Sequence, residues 1–345
     1  MSLVNVHNEW DQLEEVIIGT AAGAAIPTDD VSLRSIEFSD LRPDEAIPTG
    51  SYRSDIIQQT NEELDALCRQ LTNLGVVVRR PAERDHQILA GPADWKTSAF
   101  PDYCPRDGFL AIGDAIVEAP MALRSRFFEY LAYKEIFLDY FRSGARWFSA
   151  PKPRLGDDMF DLESEIGGRV KDIEPAFDAA NILRLGRDLL YLVSDSGNEL
   201  GLQWVRSMFP EYRVHAVRNV YASTHIDTTF VPLRPGLVFV NGSRVTPANL
   251  PEVFRGWEVV YINSPIDTGF EGDRQNGSIW VAMNMLSISP SLVAVDRRQT
   301  GIIELLGKHG IDALPVQLTH SRVLGGGFHC VSLDVRRAGG LSEYR

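Results

Sequence analysis

The chain has 345 residues, enough for one large domain or two ordinary ones. Apolar residues make up 44% and charged residues 23%, a globular composition that excludes a disordered or fibrous chain. The sequence contains 34 Lys and Arg against 47 Asp and Glu, and the resulting net charge of −13 argues against nucleic-acid binding. The acidic excess is compatible with cationic substrates.

Cysteine usage and hydropathy indicate the compartment. Three cysteines, Cys68, Cys104 and Cys330, are too few and odd in number for a disulfide framework, which suits a reducing environment. The first residues show no signal-peptide pattern, and no apolar run approaches the roughly 20 residues that span a bilayer. We therefore expect a cytoplasmic protein that binds neither membranes nor nucleic acid.

A β-hairpin, a helix and a further strand recur in the same order along the chain. Four such units are predicted, with hairpins over 108–120, 181–194, 228–241 and 284–296. Helices are predicted over 122–140, 199–208 and 299–309, with a short helix in the third unit. The units end in strands predicted over 146–148, 212–217, 258–263 and 311–317.

A fifth unit can be assembled from the two ends of the chain. Residues 13–19 and 327–335 are strand-like, and a return strand is predicted over 76–78. The helix of this unit is predicted over 60–74, with Thr60 and Glu63 as a capping box and Gly75 after the helix end. Its apolar face is formed by Leu64, Leu67, Leu71 and Leu74.

Self-similar units of this size are typical of solenoids, propellers and arrays. A unit divided between the termini favours closure of the ring, because closure removes exposed strand edges. The sequence therefore predicts one domain over 1–345, a five-bladed α/β propeller closed by pairing of the N- and C-terminal strands. A doubly wound parallel sheet is the alternative, but that fold has no need of so many hairpins.

Reactive side chains recur where the hairpins begin. In a pseudo-symmetric ring, equivalent strand ends meet at the centre, so these side chains are expected in one pocket. Cys330 is expected to open the strand that closes the ring. The residues at these positions are Asp107, Asp178, His225, Asp227, Asn276, Ser278 and Cys330.

The side chains suggest a chemistry. A cysteine needs a cationic neighbour to form a thiolate at neutral pH, and protonated His225 or a bound cationic substrate would supply it to Cys330. Asp178 is placed to accept an imidazole N–H from His225. Asp107 and Asp227 then lack a catalytic partner, and their natural ligand is a guanidinium group.

Structural roles are the alternative for each residue. Cys330 could be a small core residue, and Asp107 and Asp178 could cap turns. His329 is adjacent to Cys330 in the predicted strand and should face the opposite side, which indicates a structural role. A zinc site of His225, His329 and Cys330 is a further option, but no metal-ligand spacing supports it and we expect no metal.

Five motifs resemble the amidinotransferase family, and the similarity extends along nearly the whole chain. That family includes glycine amidinotransferase and the inosamine-phosphate amidinotransferases of streptomycin-type aminoglycoside antibiotic biosynthesis. The resemblance implies a pentein-like, five-bladed α/β propeller and a reaction that requires no metal or organic cofactor. The motifs are Cys104-Pro-Arg-Asp107, Glu118-Ala-Pro-Met-Ala-Leu-Arg-Ser-Arg-Phe127, Phe177-Asp-Ala-Ala180, Thr224-His-Ile-Asp227 and Gly325-Gly-Gly-Phe-His-Cys330.

Site residues follow from the resemblance by motif. It implies that Cys330 is the nucleophile, His225 the general acid and base, and Asp178 the carboxylate that supports the histidine. Asp107 and Asp227 match the carboxylates that hold the guanidinium.

The remaining substrate contacts and the acceptor branch are also implied by the resemblance. Arg244 matches an arginine that binds the α-carboxylate of the donor, and Ser278 lies in a substrate-contacting segment. The segments 6–10, 13–20, 149–153 and 192–201 resemble the inosamine-phosphate branch more closely.

The implied reaction moves the amidino group of L-arginine to the amine of a phosphorylated aminocyclitol of the scyllo-inosamine phosphate type. It proceeds by ping-pong kinetics through a covalent amidino-cysteine and releases ornithine. Glycine or another amine as acceptor, an arginine-deiminase-like hydrolase, and an inactive arginine-binding scaffold are alternatives. The family also suggests a homodimer.

Overall fold

A computed structural model describes residues 3–42, 44–272 and 274–344 of the chain. The helices in these ranges are α1 (Val31–Ile36), α2 (Ser54–Asn73), α3 (Pro105–Gly108), α4 (Tyr130–Arg142), α5 (Glu199–Met208), α6 (Thr300–Lys308) and α7 (Ser321–Leu324). The strands are β1 (Leu13–Ile18), β2 (Ala25–Ile26), β3 (Gly50–Ser51), β4 (Val77–Arg79), β5 (Phe109–Ile112), β6 (Ala115–Glu118), β7 (Arg146–Ser149), β8 (Ile182–Leu185), β9 (Asp188–Leu192), β10 (Arg213–Val217), β11 (Phe230–Arg234), β12 (Leu237–Asn241), β13 (Glu258–Ile262), β14 (Leu286–Ser289), β15 (Leu292–Asp296), β16 (Asp312–Val316) and β17 (Ser332–Arg337).

Five separate three-stranded sheets share one topology, in which an antiparallel pair is followed by a strand parallel to the middle one. Their strand orders are β5-β6-β7, β8-β9-β10, β11-β12-β13, β14-β15-β16 and β17-β1-β4, and β2 and β3 form a further small sheet. The fifth sheet joins the two ends of the chain, because β17 pairs antiparallel with β1 from Ser332↔Ile18 to Arg337↔Leu13. The five predicted units and the pairing of the terminal strands are confirmed.

The connections follow from the pairing geometry. A strand parallel to its predecessor requires a crossover, and α2, α4, α5 and α6 supply it in four sheets. In the remaining sheet, the crossover between β12 and β13 holds only a 3-10 turn, Glu252–Phe254. The middle strands β6, β9 and β12 are buried along their whole length, as expected for strands covered on both faces.

Apolar clusters lie between neighbouring sheets. One joins Leu110 and Val117 to Ile182 and Leu189, and another joins Ile18 to Leu286. Three further clusters connect the remaining neighbouring sheets in the same manner. Each fully buried large side chain in such a cluster contributes about 1.5–3 kcal/mol, so this packing holds the site-bearing strand ends in register.

The helix of the terminal unit differs from its prediction. It begins at Ser54, so Thr60 lies in its interior rather than at a capping box, and among the described residues the buried Thr60 hydroxyl has no hydrogen-bond partner. Leu64, Leu67 and Leu71 are buried as expected, but Leu74 is 44% exposed because it lies at the C-cap. Gly75 follows with φ of +85°, the left-handed conformation expected there.

The helix predicted over 122–140 begins only at Tyr130, because residues 124–126 form a 3-10 turn whose arginine side chains are turned inward. None of the helices in the described ranges combines the length and apolar character needed to cross a bilayer.

Candidate active site

A cavity of about 420 Å³ brings together residues from loops and turns that are far apart in the chain. This volume is in the range of sites for small molecules. Asp107 and Asp178 adjoin the cavity through their contacts with His225. The predicted residues that line it are His225, Asp227, Arg244, Asn276, Ser278 and Cys330.

Cys330 lies in a turn, and the expectation that it opens a strand is wrong. The ladder between β17 and β1 starts only at Ser332, two residues later. The glycines before the turn permit close approach of protein atoms: a Cβ on Gly326 would lie 2.5 Å from Cys104 Sγ, and one on Gly327 would lie 2.8 Å from Asn284 Cβ. The turn and its glycines therefore press the Cys330 loop against two other segments.

The Cys330 sulfur is buried among polar groups rather than in an apolar niche. The Asn284 side-chain amide donates to Sγ at 3.1 Å, and the thiol donates to Asp227 Oδ2 at 3.3 Å. A hydrogen bond with Cys104, burial and the negative charge of Asp227 raise the pKa of Cys330 well above its usual value, and a hydrogen bond with His225 opposes them only in part. In the free protein Cys330 is therefore a thiol at neutral pH.

His225 lies between two carboxylates. Its Nε2 is 2.9 Å from Asp178 Oδ2 and its Nδ1 is 3.6 Å from Asp107 Oδ1. Burial alone would lower the pKa of His225, but the Asp107 charge and the hydrogen bonds with Asp178 and Cys330 raise it well above the usual value. The free protein therefore holds an imidazolium beside the thiol, and Asp178 is placed as the sequence predicted.

One carboxylate oxygen of Asp107 is fixed by an arginine, and the other lies near His225. Arg126 donates to Asp107 Oδ2 at 2.7 Å, and the same guanidinium donates to both oxygens of Glu129 and to the Cys104 carbonyl. Within the described ranges the buried Oδ1 of Asp107 and the buried Oδ1 of Asp178 have no hydrogen-bond partner. A buried acceptor without a donor is uncommon, and a cationic ligand with several N–H groups would satisfy it.

His329 contacts the same oxygen of Asp227 that accepts from the Cys330 thiol. His329 Nδ1 lies 2.8 Å from Asp227 Oδ2, and His329 Nε2 lies 3.3 Å from Glu9 Oε2. Although burial alone would raise it, the pKa of Asp227 falls to about 2, chiefly through the hydrogen bond and positive charge of His329. The expectation that His329 faces away from the site is wrong, because the residue lies in the Cys330 turn and not in a strand.

A buried ionic cluster extends the contacts of His329 away from the cavity. Glu9 accepts from Arg184 at 2.7 Å, and Arg184 also donates to Asp334 at 2.8 Å. Arg106 donates to Asp334 at 2.7 Å and to the carbonyl of His329 at 3.0 Å. The cluster anchors the Cys330 turn to three separate chain segments.

Arg244 carries a cation into the cavity. Its guanidinium lies 3.5 Å from the centroid of the Tyr221 ring and donates to the hydroxyls of Thr228 at 2.9 Å and Thr229 at 2.8 Å. Burial lowers the pKa of Arg244, and no carboxylate of the described residues forms an ion pair with its guanidinium. Ser278 also lines the cavity, and its hydroxyl accepts from the Trp280 N–H at 3.3 Å.

Sequence reasoning missed several residues of the site, among them Asn284, Arg126 and Glu37. Asn284 and Arg126 lie within segments that were singled out, but only their tertiary contacts reveal them. Glu37 lines the cavity without any motif, and burial together with the charges of Asp107 and Asp178 raises the pKa of Glu37.

The residues that could bind a metal ion differ from the set considered from the sequence. Within the described ranges, one ligand atom each of Asp107, His225 and Cys330 lies within 4.8 Å of the others. His329 is not in this group. Because His225 and Cys330 are both protonated in the free protein, a metal would have to displace a proton from each.

Comparison with known proteins identifies the family. The inosamine-phosphate amidinotransferase 1 of Streptomyces glaucescens is 56% identical over 347 residues, covering 100% of both chains. The chain belongs to the amidinotransferase family. The solved structure of an inosamine-phosphate amidinotransferase from Streptomyces griseus matches with a TM-score of 0.98 and 56% identity over 100% of this chain and 99% of that one. The mitochondrial glycine amidinotransferase of Xenopus laevis is 36% identical over 98% of this chain and 84% of its own.

More distant structures share the fold alone. A Pseudomonas aeruginosa DDAH structure matches with a TM-score of 0.60 at 13% identity, over 93% of this chain and 99% of that one. No family model matches the sequence. The protein is thus an amidinotransferase with the pentein fold of these neighbours, as the motifs predicted.

Proposed function

We propose that this amidinotransferase moves the amidino group of L-arginine to the amine of a phosphorylated aminocyclitol and releases ornithine. The observation that carries the proposal is the meeting of Cys330, His225 and Asp178 at one cavity. The acceptor class is supported by the full-length identity of 56% to a protein named for inosamine phosphate.

The donor half-reaction begins when the arginine guanidinium binds between Asp107 and Asp227, with its α-carboxylate on Arg244. The added positive charge stabilises the thiolate of Cys330, and the thiol proton leaves to solvent. The sulfur attacks the guanidinium carbon. His225 donates its proton to the departing nitrogen, ornithine leaves as the amine, and a cationic amidino-cysteine and a neutral His225 remain.

The transfer half-reaction reverses these proton movements. The acceptor amine attacks the amidino carbon while His225 takes one of its protons. The carbon–sulfur bond breaks, and the thiolate of Cys330, the imidazolium of His225 and the guanidinylated product result. The thiolate takes up a proton from solvent as the product leaves. Asp178 keeps the imidazole oriented in both halves through its hydrogen bond at 2.9 Å. Each half-reaction balances in charge without any added cofactor.

We further propose that residues 1–345 form one domain in which the five sheets are the blades of an α/β propeller around the cavity. The shared topology of the sheets and the apolar clusters between neighbouring sheets support this arrangement. The predicted homodimer is tested by sedimentation of the purified protein.

The experiment for the function offers labelled arginine with single amines: glycine, lysine, scyllo-inosamine and its phosphate. We expect guanidinylation of the phosphorylated inosamine, with one ornithine released for each product. A preference for glycine or lysine would identify that amine as the acceptor instead. Citrulline with ammonia would establish a hydrolase, and an arginine-dependent thermal shift without product would indicate a scaffold.

The covalent step has its own test. Enzyme incubated with arginine alone should carry an amidino group on the Cys330 peptide, measured by mass spectrometry. Cys330→Ala should lose the adduct and all turnover while keeping the melting temperature within a few degrees. An unmodified peptide from enzyme that exchanges ornithine would refute the covalent intermediate.

A further inference from the structure

We propose that Arg274 binds the phosphate of the acceptor, in a subsite formed by residues 36–40 and 274–277. The inference rests on the proposed function, which requires a second anion besides the carboxylate of arginine. The phosphate would bind to Arg274, a residue that lies outside the five sequence motifs.

Among the described residues, two basic side chains line the cavity, those of Arg244 and Arg274. Arg244 is fixed by the hydroxyls of Thr228 and Thr229, which follow Asp227 directly, so it lies beside the carboxylate that holds the guanidinium. This position suits the carboxylate of the donor. Arg274 belongs to a different wall and is left for an anion of the acceptor.

The surroundings of Arg274 fit a phosphate. Its guanidinium lies 4.6 Å from the centroid of the Phe38 ring, which orients the flat group, and it forms an ion pair with Asp40. Asp40 is 69% exposed, so this carboxylate is a weakly held partner that a dianion can replace. Among the described residues the buried Nε of Arg274 has no acceptor, so a phosphate that replaces Asp40 on Nη2 can also accept from Nε in a bidentate contact.

The segment next to Arg274 is held in place. The backbone N–H groups of Asn276 and Gly277 donate to the Arg322 carbonyl at 2.7 and 2.8 Å, and the Asn276 side chain donates to the Val323 carbonyl at 2.9 Å. Within the described ranges the buried Oδ1 of Asn276 has no donor. A hydroxyl of a cyclitol ring would supply that donor next to the phosphate.

The subsite is within reach of the reacting groups. Glu37 is close enough to His225 and Asp107 for its charge to act on both, and Asp40 follows Glu37 three positions further along the chain. Their Cα atoms are therefore at most about 10 Å apart. A single small acceptor can thus contact Arg274 while its amine lies near His225.

The test measures kcat/KM for scyllo-inosamine phosphate and for unphosphorylated scyllo-inosamine, each with saturating arginine. We expect Arg274→Gln to lower the value for the phosphate ester about 10- to 100-fold, as for loss of charge-assisted hydrogen bonds, and to abolish the preference for the ester. Asp40→Asn should change it in the opposite direction, because it removes the carboxylate that competes with the phosphate. Arg42→Gln, which removes a 72% exposed arginine of the same segment, is the matched charge control.

Exchange of labelled ornithine into arginine reports the donor half-reaction separately, since no phosphate takes part in it. A wild-type enzyme that exchanges ornithine but does not prefer the phosphate ester overturns the proposed acceptor, and the subsite with it. A wild-type preference that persists in Arg274→Gln overturns the subsite alone. Loss of ornithine exchange in Arg274→Gln to the same extent as transfer would overturn its assignment to the acceptor side.

Discussion

The protonation of His225 is the electrostatic feature on which the proposed chemistry depends, and Asp178→Asn tests it. The substitution keeps the size of the side chain and a hydrogen-bonding oxygen but removes the negative charge 2.9 Å from His225 Nε2. Because the Asp178 side chain is only 3% exposed, solvent does not screen this charge. We therefore expect the pKa of His225 to fall.

The magnitude follows from the difference between two kinds of hydrogen bond. A hydrogen bond to a charged group contributes about 1.5–3 kcal/mol and one between neutral groups about 0.5–1.5 kcal/mol, so the imidazolium loses about 1–1.5 kcal/mol. This corresponds to a roughly tenfold lower ratio of imidazolium to imidazole at a given pH. Because the pKa of His225 starts well above its usual value, the imidazolium still predominates at neutral pH after this change. The change should therefore appear as a lower titration midpoint of His225 and, because His225 is the proposed acid, as a loss of ornithine release that sets in at lower pH than in wild type.

Two assays follow the change. Carbon-13 labelling of the histidine Cε1 atoms resolves the titration of His225, assigned with His225→Gln, and rapid quenching measures the single-turnover release of ornithine. Glu199→Gln is the control for net charge, because Glu199 is a 43% exposed carboxylate paired with Arg218 outside the cavity. Equal titration midpoints in Asp178→Asn and wild type would refute the electrostatic reasoning.

Three further predictions concern the groups around the reacting centre. Arg126→Met removes the guanidinium that is paired with the buried carboxylates of Asp107 and Glu129. It should lower the free energy of unfolding by about 3–5 kcal/mol in urea titrations, with Arg126→Lys milder, and a loss below about 1 kcal/mol would contradict the pairing. Because the pKa of Cys330 is raised, its alkylation by iodoacetamide and kcat/KM for arginine should both rise with pH through the neutral and alkaline range, and a flat alkylation rate would contradict this. His329→Gln should raise the pKa of Asp227 from about 2. A lowered carboxyl pKa stabilises the fold at pH values above the ordinary pKa, and this stability is lost as the pH falls. The variant should therefore be up to about 2 kcal/mol less stable at neutral pH, and the difference should shrink toward pH 2.

The strands were predictable because their signals are local. The hairpin turns at Gly113, Gly186 and Gly236 have φ of +57°, +69° and +82°, which is the backbone conformation that glycine favours. The start of α2 was not predictable from its capping pattern. Thr60 and Glu63 resemble a capping box, but six helical residues precede Thr60, and Ile56 among them is buried against the core.

The sequence predicted which reactive side chains meet in the site, but not the ion pairs and hydrogen bonds that set their protonation. Repetition of one unit placed Asp107, His225 and Cys330 at equivalent strand ends, so their meeting could be inferred from order alone. The contacts of Arg126 and His329 depend on segments about 20 to 320 residues away in the chain, and no local pattern encodes them. Glu37 also approaches His225 only through the tertiary fold, so no local sequence pattern indicates it.

The charge of the free cavity suggests how the nucleophile is controlled. The sequence indicated two sources of positive charge for the Cys330 thiolate, His225 and a bound cation. In the structure the hydrogen bond with His225 is outweighed by Cys104, burial and Asp227, so the imidazolium alone leaves the thiol protonated. In the proposed mechanism the guanidinium of arginine adds a full positive charge beside Asp107 and Asp227, which removes the repulsion that opposes ionisation. The substrate would then generate its own nucleophile, and the carboxylates proposed to bind arginine would keep Cys330 unreactive until it arrives.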